Sequence, residues 1–206
     1  MIKLSSTRDI SLKVLQELSE DLRPDFDLEV DEGQVVLLST EPPSWITFIA
    51  QSQWWVQALA AYAAVYVAEI VKEAGKDTWK NRGKALAALR TSNDKLKNFA
   101  SGIAKTLARL RPTTRAVVAI PIPDEIYATQ LYLSSRDENE IALEIAMFVH
   151  HLPALVELMD REGLTEGRAS GWIGLQLLED GSLQVTWFEK QSLEKVHGVI
   201  PFQRVP

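Results

Sequence analysis

WITFIAQSQWWVQALAAYAAVYVAEIVKEA, residues 45–74, is the stretch on which the reading of this chain turns. It holds neither Pro nor Gly, and from Trp54 to Ala68 only Gln57 interrupts the apolar residues. As one helix it would run roughly 45 Å at about 1.5 Å per residue. A helix that is apolar on every side lies either in a protein core or in lipid. A membrane span needs about 20 mostly apolar residues. The window Ile46–Ala68 is long enough, but it carries Thr47, Gln51, Ser52, Gln53 and Gln57, which are costly against acyl chains. Its Trp and Tyr residues also fail to gather into two interfacial belts. The stretch therefore predicts a core helix over 44–74, with Ser44 as N-cap after Pro42-Pro43 and Gly75 as terminator.

Outward from that helix, Asp77–Leu110 reads as a second one with a break at Thr91-Ser92-Asn93-Asp94. Leu96, Phe99, Ile103, Leu107 and Leu110 form a stripe, opposite Lys95, Lys97, Lys105 and Arg109. Two helices joined by a short connection favour an antiparallel pair. Charge is concentrated here. Between Lys76 and Arg115 stand eleven basic residues and two acidic ones, a local +9 against −15 for the remainder and −6 for the whole chain. Such polarity marks an interaction surface or an internal match between basic and acidic elements.

Upstream, Ile2–Ser5 reads as a strand, and Asp9 as the N-cap of a helix through Leu12, Leu15, Leu18 and Leu22 that Pro24 stops. Asp27–Val30 and Gln34–Ser39 flank Asp31-Glu32-Gly33 as a hairpin. Downstream of Pro112, Ala116–Ile122 and Ile126–Ser134 are β-rich runs about Pro123-Asp124-Glu125. Asn139–His151 is helical, with Pro153 as a break or as the first residue of a continuation to Arg161. Gly171–Leu178 and Leu183–Glu189 flank Glu179-Asp180-Gly181-Ser182 as the clearest hairpin, and the tail HGVIPFQRVP reads as extended. The expected fold class is α+β: long antiparallel helices (about 44–74 and 77–110) packed against antiparallel β-hairpins, plus a C-terminal helix and hairpin. At 206 residues it forms a single domain, with two lobes, 1–112 and 113–206, as the alternative division.

The chain has no cysteine, which removes disulfides and thiolate chemistry. Its N-terminus lacks the apolar run of a signal peptide, so the expected location is cytoplasmic. No GxSxG, P-loop, GxGxxG or HExxH pattern occurs, and no catalytic, cofactor or metal residue is assigned. Adjacent helical residues His150 and His151 point about 100° apart and cannot easily share an ion, and His197 has no evident partner. The binding candidates are the basic residues Lys80, Lys84, Arg90, Lys97, Lys105 and Arg109 together with Trp172 and Trp187, which could stack across the last hairpin. The expected function is non-catalytic binding of a protein partner, or self-association, through charge-polarised surfaces. The alternative is an anionic-surface binder, on membrane or nucleic acid, acting through the basic 76–115 helix and the apolar 45–71 helix. No nucleic-acid motif accompanies the basic segment.

Overall fold

A computed structural model describes residues 2–7, 9–31, 44–50, 94–120, 129–166, 168–169 and 171–202. Among them the chain mixes α and β. Three helices, α1 (Leu12–Leu22), α2 (Asp94–Ala108) and α3 (Glu138–Arg161), accompany one sheet of eight strands. The strands are β1 (Ile2–Ser6), β2 (Leu28–Val30), β3 (Trp45–Ala50), β4 (Arg115–Ile120), β5 (Thr129–Leu133), β6 (Ile173–Leu177), β7 (Leu183–Phe188) and β8 (Lys195–Ile200). Their order is β2-β1-β3-β4-β5-β6-β7-β8.

Three neighbouring pairs are parallel: β1 with β2, β3 with β4, and β5 with β6. Parallel neighbours need a long crossover connection, and each of these contains one of the three helices. The remaining pairings are antiparallel, ending in the meander β6-β7-β8. One face of the sheet carries the core. Leu4, Phe48, Val118, Leu131, Leu175 and Val185 point into it and are each at most 1% exposed. Phe99 of α2 meets Phe48 edge-on at 5.2 Å and Phe26 at 5.3 Å, so α2 lies against β3 on this face. Gly102 lets α1 come close, since a Cβ there would stand 2.7 Å from Leu22 Cδ2. On the same face Leu158 of α3 packs on Gly198 of β8.

This arrangement has a topological consequence. β1 and β5 run in the same direction, yet β2 and β6 lie on opposite sides of them, with both connecting helices on one face. The crossovers β1-α1-β2 and β5-α3-β6 therefore have opposite hands, and one departs from the strong right-handed rule for such units.

α3 is long and apolar enough to cross a membrane, but 72% of its apolar window is buried inside the protein. Asp137 caps it, accepting from the backbone N–H of Asn139 and Glu140. Pro153 neither breaks nor starts a helix. It sits exposed within one continuous helix, where the missing N–H costs a single bond on the solvent side.

The expected helix over 44–74 is corrected at its start, because residues 45–50 are strand β3, paired with both β1 and β4. In WITF the inward Ile46 and Phe48 alternate with Trp45 and Thr47, a period of two that merges by eye into the apolar run behind it. Residues 51–93, and with them the rest of that helix and the start of the second one, lie outside the described residues. Ser44 caps no helix, and its hydroxyl donates to Asp9 instead. Asp9 in turn is not an N-cap: α1 begins after Ser11, while Asp9 accepts from Thr7 Oγ1 at 2.6 Å. Together they tie the exit of β1 to the start of β3, and these hydroxyls hold the Asp9 carboxyl below the usual range. Strand β2 occupies the first arm of the expected 27–39 hairpin, but its described partner is β1, in parallel. Residues 34–39 lie outside the described residues.

Candidate binding face

The second face of the sheet differs from end to end. Around β4 it is closed: Val117 and Ala119 point away from the helices, yet are 1% and 2% exposed. Over β6, β7 and β8 it is open. The pairing register sets Phe188 opposite Lys195, Thr186 opposite His197, and Gln184 opposite Val199. Trp172, just before β6, lies on the same side as Phe188. These side chains share the outer face because alternate residues of a strand point the same way. With Tyr132 of β5, all of them but Val199 border a groove of about 300 Å³.

Two contacts fix the groove's shape. The ring of Tyr132 lies over Gly174, where a Cβ would fall 3.0 Å from Tyr132 Cε2. The glycine is thus needed for the ring to lie flat on the sheet. The Tyr132 hydroxyl bonds Gln130 at 3.3 Å and also meets the side chain of Trp172, whose indole N–H is its only donor. Burial raises the Tyr132 phenol above its ordinary value. On β8, His197 Nδ1 lies 3.0 Å from Thr186 Oγ1, so the histidine does have a partner. Trp172 is 47% exposed and Phe188 43% exposed, while among the described residues no carboxylate lines the groove. The arrangement offers flat apolar surface, neutral amides and hydroxyls, and the cationic Lys195. Its hydroxyl–imidazole contact, Thr186 with His197, is exposed.

The other sequence candidates fall elsewhere. Trp187 is 4% exposed and packs in the core, so the stack with Trp172 does not form. The two sit on opposite faces, an odd number of registers apart. Lys80, Lys84 and Arg90 lie outside the described residues. Lys97 is half-buried and Lys105 exposed on α2. Arg109, just past α2, pairs with Glu17 of α1 at 3.1 Å, and Asn98 donates to Asp25 at 2.7 Å. Within the described part of the basic segment, Arg109 therefore meets an acidic neighbour of its own chain. Tyr132, Phe188, His197 and Val199 were not legible as a set. Tyr132 and Phe188 fall in runs read as strands, and the tail read as extended includes most of strand β8, residues 195–200.

Two buried titratable groups have structural work. Glu144 of α3 accepts from the Ser134 backbone N–H at 2.8 Å and from the Ser134 hydroxyl, and burial pushes its carboxyl upward. It thereby closes the end of β5. His151 is 2% exposed, with Nε2 2.9 Å from the Gly181 carbonyl, and burial lowers its pKa. It pins α3 to the β6–β7 turn as a neutral ring. Among the described residues no His, Asp and Glu group is placed to hold a metal ion.

Comparison with protein-family models, with curated proteins and with solved structures gives no match for this chain.

Proposed function

We propose that this chain is a non-catalytic binding protein that engages a protein partner through the outer face of β6–β8. The observation that carries the reading is where apolar surface is left in water. Among the described residues the exposed large hydrophobics are Val156, Trp172, Phe188, Leu193 and Val199, and four of the five belong to the β6–β8 region. Contiguous exposed apolar surface with a polar rim marks an interaction site, and pre-positioned Trp and Tyr side chains are the usual energetic centres of one. Leu193 adds weight. It is 67% exposed and holds φ at 57°, a backbone conformation better suited to Gly or Asn. A turn that spends conformational energy to present a leucine to water is explained by a contact made there.

The test uses the full chain as bait in lysate of its native host, beside the double variant Trp172→Ala, Phe188→Ala with matched circular dichroism. A partner held by the wild type should be lost by the variant, and the purified partner should then bind the wild type at least tenfold more tightly, about 1.4 kcal/mol. Equal retention by both proteins removes the face from the reading.

A further inference from the structure

The groove ends on β8, and β8 is the last strand of the sheet. It pairs with β7 through all six residues, and among the described residues nothing pairs with its other side. The opposite margin is different: β2 has three residues, and Lys3 and Asp31 form an ion pair across its end at 3.0 Å. Short, charged edges resist pairing, whereas longer ones accept an added strand. Along β8 the exposed residues Lys195, His197 and Val199 alternate with Val196, Gly198 and Ile200, which face the helices.

We propose that the free margin of β8 receives an extended segment of the protein partner as a ninth strand, and that this segment alternates, presenting carboxylate side chains on the outer face beside Lys195 and His197 and apolar ones on the helix side beside Val196 and Ile200. The inference rests on the reading of the β6–β8 face as the binding surface and gives that reading its partner chemistry. Strand addition draws affinity from main-chain hydrogen bonds and specificity from alternate side chains. A segment laid along β8 sends every second side chain over the outer face, at the rim of the groove. The charged and ionisable groups waiting there are Lys195 and His197, with no carboxylate lining the groove among the described residues. A basic segment would set like charges side by side, and an acidic one sets opposite charges there. The apolar requirement follows from Val196 and Ile200, which are half-buried and buried on the helix side.

The experiment is a nuclear magnetic resonance titration of the ¹⁵N-labelled full chain with three octapeptides: alternating Val-Glu, alternating Val-Lys, and a block peptide of four Glu followed by four Val. The Val-Glu peptide should shift the Trp172 indole resonance and slow hydrogen exchange at every second amide between Lys195 and Ile200, because alternate amides of an edge strand point outward. The Val-Lys peptide should bind about tenfold more weakly, as should the block peptide, whose Glu run also turns carboxylates to the helix side beside Val196 and Gly198, and Lys195→Glu should reverse the preference between Glu and Lys. If the indole shifts while β8 exchange stays unchanged, the face binds peptide without strand addition and this inference falls alone. Protection of β8 that grows with protein concentration and needs no peptide assigns the margin to a second copy and overturns the acidic segment. If no peptide moves either signal, both the strand addition and the binding face are refuted.

Discussion

The β3–β4 and β6–β8 regions share one sheet and one core, and they part company on the other face. At β4, Val117 and Ala119 are as buried on the outer side as Val118 is on the inner. At β8, Lys195, His197 and Val199 stand in water. The difference shows in the strand sequences. β3 and β4 are a parallel pair, the kind of pairing found with both faces covered, and β4 reads as a continuous apolar run, AVVAI. β6, β7 and β8 are antiparallel neighbours, and such strands tolerate one solvated face and read as alternation. The half whose geometry permits a wet face is the half that carries the aromatic groove.

The largest expected effect tests the shared side. Phe48→Ala removes a ring that is 1% exposed and packed on Phe99, and should cost about 3–5 kcal/mol in urea unfolding. The sharpest break of the comparison uses one residue type on one face. Val117→Ala should cost about 2 kcal/mol and Val199→Ala about 0.5 kcal/mol or less. Equal costs would mean that the two outer faces are alike.

A third test reads His151. Burial depresses the His151 pKa below its ordinary 6.5, so the unfolded chain takes up a proton that the folded chain refuses. The stability His151 contributes is complete above 6.5 and is lost as pH falls below it. Glu144 has the opposite sign: its raised carboxyl makes the fold relatively more stable as pH falls toward 4.5. Urea titrations at stepped pH should show a decline below neutrality that His151→Gln flattens. The smallest effect on stability belongs to the groove. Trp172→Ala should change unfolding by about 0.5 kcal/mol or less, while partner binding is lost. A large loss of stability would make Trp172 a structural residue.

Much of this was legible where the determining contacts are local. In α2 the stripe Leu96, Phe99, Ile103 and Leu107 is buried as its spacing requires. α3 and the strands flanking Glu179–Ser182 also emerge near their expected bounds. What could not be read depends on partners far along the chain. β3 becomes a strand because β1 and β4 flank it, and β4 begins 65 residues after the last residue of β3. The Asp9–Ser44 bond spans 35 residues, whereas the N-cap reading used only the helix next door. The groove needs Tyr132, Trp172 and His197 from three strands, and no spacing announces that.

Arg136 carries one more consequence. Its guanidinium donates to the carbonyls of Leu107, Arg111 and Thr114, closing the end of α2 and the turn into β4 from the segment before α3. A lysine carries a compact charge and cannot reach three carbonyls as a planar fork does. With Arg136→Lys the turn should open before the domain does, and limited trypsin should cut first after Arg109 or Arg115, both exposed. Resistance of this one joint to protease is thus borrowed from a side chain more than twenty residues downstream.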